Sequence, residues 1–306
     1  MDPTSEPMRL RLRGAAVFAA SALLAAGCGG GGSGASGASI GAEELARFAS
    51  TSAEAASGRF SFEMSLTLAG ADEAFAVSGE GAFDAAADRT SAAFDLSSLA
   101  RFLGGLLGGA AAPGAVGGLP DFRDPAGWKI EVVHDHGIGY VRFPALDEKL
   151  PDGKSWFRVD EGDTSVGGLE FGALEQFTTN DPREVLAFLQ ATTSEIETVG
   201  TERLGGVATT HYRAVVDPAE LHERASSGGQ PAQSLVDRLV AEPGLDEIPV
   251  DVWVDAEGLV RKLSLVLSRA EPATSGPGEV SMLFDLWDYG EDVEIDLPPP
   301  SHVANG

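Results

Sequence analysis

The feature that most limits the fold of this chain is a change of hydrophobic period just before residue 60. From there Phe60, Phe62, Met64, Leu66 and Leu68 alternate with Ser61, Glu63, Ser65 and Thr67. Successive side chains of a strand point to opposite faces, so strict alternation marks a half-buried strand. Phe75, Val77, Gly79, Gly81 and Phe83 repeat the pattern, and Ala92, Phe94 and Leu96 do so again. Two short turn-like stretches, Ala69 to Asp72 and Asp84 to Asp88, separate the three runs. The economical arrangement is an antiparallel meander, apolar on one face and polar on the other.

Strand signals resume downstream at Trp128 to Val132, Ile138 to Phe143 and Ser155 to Asp160. A hairpin follows, Ile196 to Leu204 and Val207 to Val216 around Gly205-Gly206, the two-residue glycine loop being the signal. A second runs from Pro249 to Val254, through Asp255-Ala256-Glu257-Gly258, to Leu259 to Leu267. Val280 to Leu286 is a late strand, Val293 and Ile295 suggest one more, and Pro298-Pro299-Pro300 is expected to end ordered structure. Helices are expected at Ala42 to Ser57, at Asp181 to Gln190 with an acidic cap before Pro182, at Leu235 to Ala241 and at Asp217 to Arg224. About ten strands with segregated helices make an α+β fold, and a strongly twisted sheet of that size curls or closes. The expected architecture is a large curved antiparallel β-sheet, a half-barrel, with helices covering its concave side.

The segment Ser97 to Gly127 interrupts the strands with Leu99, Phe102, Leu103, Leu106 and Leu107, followed by many Gly and Pro residues. A short amphipathic helix and a loop is the plain reading; an apolar flap over a cavity mouth is the sharper one. The residues expected to face such a cavity, from alternation, are Phe60, Phe62, Met64, Phe75, Val77, Phe83, Phe94, Leu96 and Phe284. Gly79 and Gly81 remove side chains from the face these residues define; glycine inside a strand marks a bulge, bend or close approach, and a bend is a better account than room for a ligand.

At the N-terminus Arg9, Arg11 and Arg13 precede the apolar run Ala15 to Ala26, which ends in Gly27-Cys28. That is the pattern of a secretory signal peptide, too short for a bilayer span of about 20 residues. Leu24-Ala25-Ala26-Gly27-Cys28 resembles a bacterial lipobox, with Ala25 where Leu is commoner. The resemblance implies cleavage of residues 1–27, lipidation of Cys28 and an anchor on the outer face of the cell membrane. Residues 28–41, rich in Gly and Ser, then serve as a flexible tether, residues 42–297 as the folded domain and 298–306 as a disordered tail. Two acyl chains meet the requirement for stable anchoring.

The formal net charge of −26 repels nucleic acid and anionic head groups, so membrane contact is assigned to the anchor. Cys28 is the single cysteine, which rules out an intrachain disulfide. His134-Asp135-His136 places two imidazoles on one side of a strand, but His-Asp-His-Gly also reads as a solvated hairpin tip, the preferred reading. His211, beside Tyr212, is read as a hydrogen-bonded sheet residue. Gly37-Ala38-Ser39-Ile40-Gly41 matches the nucleophile-elbow pattern in the linker, without a preceding strand, and carries no catalytic reading. No cofactor motif is present, and the chain is read as a non-enzyme without a catalytic residue.

The order of elements resembles the actinobacterial LppX/LprG-type lipoproteins, which share the half-barrel fold of the LolA/LolB carriers. The matching residues are Cys28, the Asp181–Gln190 helix, the hairpin Val199-Gly200-Thr201-Glu202 to Gly205-Gly206-Val207-Ala208-Thr209-Thr210-His211-Tyr212, and Val250-Asp251-Val252-Trp253-Val254-Asp255-Ala256-Glu257-Gly258-Leu259-Val260. The resemblance implies an apolar cavity for acyl chains, a lipid or glycolipid ligand and transfer or presentation of it at the envelope. An anchored interaction or sensor domain with an envelope protein partner is the other expectation, and a monomer is expected in either case.

Overall fold

The structure is a computed structural model of the chain. The described residues are 39–68, 74–106, 124, 127–144, 147, 150–160, 165–166, 169–170, 186, 189, 196–216, 248–268 and 277–304. The signal and lipobox segment, nearly all of the tether, the glycine-rich stretch beyond residue 106 and the expected helices at Asp217–Arg224 and Leu235–Ala241 lie outside them.

A first helix, α1 (Ala42–Ala53), leads into strands β1 (Ser57–Leu68), β2 (Ala74–Asp84) and β3 (Arg89–Asp95). Helix α2 (Ser97–Leu106) precedes β4 (Lys129–Asp135), β5 (Ile138–Arg142) and β6 (Trp156–Asp160). A two-strand hairpin, β7 (Ser165–Val166) and β8 (Leu169–Glu170), stands apart from the main sheet. The second half supplies β9 (Glu197–Leu204), β10 (Val207–Val216), β11 (Ile248–Asp255), β12 (Val260–Ser268) and β13 (Pro277–Trp287). A 3₁₀ turn at Pro300–His302 leads to β14 (Val303–Ala304).

The main sheet has 12 strands in the order β14-β6-β5-β4-β3-β2-β1-β13-β12-β11-β10-β9. It is two meanders fused at their centre by β1 against β13, with Phe62 opposite Phe284 and Met64 opposite Met282. Its two ends do not pair with each other, so the sheet is an open, curved half-barrel. The α+β architecture follows the sequence expectation, with two refinements. The sheet is mixed, because β14 pairs parallel with β6. The C-terminal prolines also do not end the structure: Val303 and Ala304 lie opposite Trp156 and Phe157, so the expected disordered tail is corrected for residues 298–304. Val293 and Ile295 form no strand; they pack on the outer face against Ala82 and Val133, near Tyr140 and Trp156.

The register accounts for the faces. Phe60, Phe62, Met64 and Leu66 stand opposite Gly81, Gly79, Val77 and Phe75, so all lie on one face, with Phe94, Ile130, Val132 and Val141 beyond them. The other meander adds Leu263, Leu265, Val250, Val252 and Ala214 to the same face. Helix α1 covers the second meander by burying Leu45, Ala49 and Ser52. It stops at Ala53, short of the expected Ser57, because Ser57 already pairs with Asp84 in β1. Helix α2 lies over β2, with Phe102 against Phe75 at 5.1 Å between ring centroids. The chain must return from β6 at one side of the sheet to β9 at the other. Leu186 and Leu189, the two described residues of the expected Asp181–Gln190 helix, are buried in the inner-face core with Leu45 and Val250.

The apolar inner face as candidate ligand site

The inner face carries two packed clusters. One gathers Phe60, Phe83, Phe284, Leu286 and the inward residues of β10 to β12 under α1. The other gathers Val77, Phe94, Leu96, Trp128, Ile130, Val141, Phe143 and Phe157 near Ala100 of α2. Phe62 is only half-buried and packs against both; its ring lies 5.3 Å from Phe94 and 6.1 Å from Phe284. Beside it Met64, Leu66, Val280 and Met282 are also half-buried. The register sets them in two adjacent columns across β1 and β13. Between two filled cores there is therefore a strip of large, flexible apolar side chains that the described residues do not bury fully.

Of the residues expected from alternation to face inward, the register sets Phe60, Phe62, Met64, Phe75, Val77, Phe83, Phe94 and Phe284 on one face, and Leu96 packs in the second cluster of that face. Phe60, Val77, Phe83, Phe94, Leu96 and Phe284 are each at most 5% exposed and serve as packing. Phe75 is buried under α2. Phe62 and Met64 remain as the members of that set on the open strip. Sequence reasoning missed Leu66, Val280 and Met282 as its companions; alternation placed them inward, but only the pairing of β1 with β13 sets them side by side.

Gly79 and Gly81 are explained by the same pairing. A Cβ on Gly81 would lie 2.2 Å from the Ser91 carbonyl oxygen and 2.5 Å from Phe60 Cζ; one on Gly79 would lie 2.3 Å from Phe62 Cε1. Each phenylalanine ring covers the glycine opposite it, so the gap left by the missing side chain is filled by an aromatic ring from the next strand. The sequence favours a bend at these glycines; the structure shows instead close approach of an aromatic ring and of the neighbouring strand's carbonyls.

The polar candidates have structural roles. Arg89 Nε donates to Asp135 at 2.7 Å, and Nδ1 of His136 lies 2.9 Å from the same carboxylate. That pairing holds the Asp135 carboxyl below its ordinary pKa, mainly through the Arg89 hydrogen bond. His136 and Gly137 take positive φ values of 51° and 79° in the β4–β5 turn, the hairpin tip the sequence suggested. His211 is hydrogen-bonded as expected: its Nε2 lies 2.6 Å from Asp251, which also accepts from Arg213. A feature not foreseen is the ladder it begins. His211 stacks on Trp253 at 4.2 Å, the Lys262 ammonium lies 5.2 Å from the centre of the same ring system, and the Trp253 N–H donates to Glu202. His211, Trp253 and Lys262 are direct cross-strand neighbours on the outer face, which no single-strand pattern reveals.

An open curved sheet with its helices on an apolar inner face defines a half-barrel. No family model matches the chain. Among curated proteins it is 26% identical over 155 residues to an uncharacterized 31.2 kDa protein from the rplA-rplJ intergenic region of Streptomyces griseus. The match covers 50% of this chain and about half, 48%, of that relative. Similar solved structures include the lipoprotein LppX of Mycobacterium tuberculosis, at 11% identity and a TM-score of 0.41, covering 83% of this chain and 96% of that one. LprF of Mycobacterium bovis is 11% identical with a TM-score of 0.43, over 84% and 96% of the two chains. A LolA superfamily protein of Nitrosomonas europaea is 9% identical with a TM-score of 0.27, over 85% and 96%.

Proposed function

We propose that this chain is an extracytoplasmic lipoprotein, tethered through lipidated Cys28, that binds a hydrophobic ligand of the lipid class in its half-barrel and carries or presents it. The observation that carries the reading is the strip Phe62, Met64, Leu66, Val280 and Met282, half-buried between two filled clusters. Methionine suits such a place because its unbranched, polarizable side chain adapts to ligands of irregular shape. Each methylene of an acyl chain fully buried along the strip contributes roughly 0.8 kcal/mol, so a ten-carbon stretch supplies up to about 8 kcal/mol, the same order as the cost of association. The lipobox-like Leu24 to Cys28 and the Gly/Ser tether support the anchor. Among the described residues no helix is long and apolar enough to cross a membrane.

The test is native mass spectrometry, with organic extraction, of residues 37–306 purified from the producing cell. Near-stoichiometric lipid is expected, and Phe62→Ala with Met282→Ala should change its occupancy or chain length. A clean apo mass, with no uptake of added phospholipid or fatty acid, would sink the reading. It would leave an anchored interaction domain, the reading that the two filled clusters favour.

A further inference from the structure

The convex face holds a feature that lipid binding on the concave face does not use. From β13 to β4 its central rows set short side chains, Ala82, Ser91, Ser61 and Ala93, among longer charged and aromatic ones. One row runs Trp287, Arg59, Ala82, Ser91 and Val133; the next runs Asp285, Ser61, Glu80, Ala93 and Glu131. Above this floor the C-terminal segment crosses as a strap, held by Val293 and Ile295. Strap and floor border an open trough of about 560 Å³ whose lining includes Trp287 and Trp156. It continues into a second hollow of about 430 Å³ through the shared residues Glu80, Ala93 and Glu131.

The charge of the trough is one-sided. Glu80, Glu131, Glu294 and Asp296 line it against a single guanidinium, Arg59. Arg59 faces Asp288 at 3.5 Å, and Glu131 is paired with Arg142 at 3.0 Å. Glu80, Glu294 and Asp296 form no ion pair among the described residues. Three carboxylates thus stand along a groove whose lining includes the two indoles, Leu297, Pro298 and Pro299.

We propose that this trough is a second binding site, which takes an extended lysine- or arginine-rich segment of a partner polypeptide. Three observations select that occupant. The trough crosses six strand spacings from β13 to β6, about 30 Å, the length of roughly nine extended residues. The adjacent part of the same face already holds an extended segment of this chain, the strap, by apolar side chains set on Ala82 and Val133. Indole walls with carboxylates between them match guanidinium or ammonium groups on aliphatic stems, which stack on aromatic faces and pair with carboxylates.

The experiment uses the full chain in uncharged detergent and a fluorescent nonapeptide with arginine at alternate positions and alanine between. A second nonapeptide carries glutamate in place of arginine. Anisotropy and tryptophan fluorescence follow the titration at low and at physiological salt. The arginine peptide is expected to bind and the glutamate peptide not. Combined Glu80→Gln, Glu294→Gln and Asp296→Asn should weaken binding at least about tenfold, the scale of three exposed pairs of up to ~1 kcal/mol each. Ala93→Trp, at an exposed floor position, should block it without disturbing the core. Neutralising the exposed Glu43, Glu54 and Glu257 should leave it unchanged. Absence of binding, equal loss in the two charge-neutralised triples, or full binding by Ala93→Trp would each overturn the proposal. Lipid occupancy of the inner face is read separately, so failure of one site is distinguishable from failure of the other.

Discussion

At Gly81 a single missing side chain sets how closely β1, β2 and β3 can lie. Phe60 fills the space on one side and the Ser91 carbonyl closes the other, with contacts of 2.5 and 2.2 Å to an added Cβ. Gly81→Ala must therefore move backbone or displace a core ring, and overpacking of this kind costs about 1–3 kcal/mol. Gly139 is the internal control, since an added Cβ there meets Val159 no closer than 3.4 Å. Gly139→Ala should be close to neutral or stabilising, through lost freedom of the unfolded chain. Urea midpoints of the two variants check the contrast. A Gly81→Ala protein as stable as the parent would remove the close-approach account.

At the scale of elements, α1 is fixed to the sheet by one hydroxyl as much as by its apolar stripe. Ser52 Oγ donates to the Phe48 carbonyl at 2.8 Å and accepts the Val260 N–H at 2.8 Å, at the start of β12. Tyr289 completes the joint by donating its hydroxyl to the Val260 carbonyl, and its burial pushes the phenol pKa up. Ser52→Ala leaves a buried N–H without a partner, at a cost of about 1–3 kcal/mol. Denaturation should show that loss, and hydrogen exchange at the Val260 amide should accelerate. Unchanged protection of that amide would mean the hydroxyl is dispensable. Nothing in Ala42 to Ala53 foretells this bond, because its acceptor and donor are 208 positions apart. The amphipathic face of the helix was legible; its partner strand was not.

For the molecule as a whole, acid stability follows from the carboxylates whose surroundings shift them. Asp95 is held below its reference value of 3.8, mainly by hydrogen bonding from Ser97 at the start of α2. Asp135 is lowered likewise by Arg89. A lowered pKa in the folded state means that the stabilisation is complete above about pH 4. It is lost as pH falls through the folded-state values. Asp147 acts in the opposite sense: burial raises its pKa, so protonating it favours the fold. Combined Asp95→Asn and Asp135→Asn should flatten the fall in urea midpoint below pH 4, while Asp147→Asn should steepen it. Identical pH profiles for all three proteins would refute the assignment.

Alternation along Phe60–Leu68, Phe75–Phe83 and Ala92–Leu96 determined the strands and their inward faces without reference to anything distant. The glycine loops at Gly205-Gly206 and Asp255–Gly258 determined the hairpins. The proposed export and anchoring signal, Arg9 to Cys28, rests on local sequence pattern alone. Only the tertiary structure decided that β1 pairs with β13, because a strand carries its side-chain period but no address for its partner. That pairing, between residues more than 200 positions apart, sets Met64 and Leu66 beside Met282 and Val280. It also sets Phe62 between the two cores. The C-terminal strap and the parallel pairing of β14 with β6 were hidden for a related reason. Val293, Ile295 and Val303 hold their places through distant surfaces, Ala82, Val133 and Trp156, and a proline-rich segment with few local hydrogen bonds gives no periodic signal of its own.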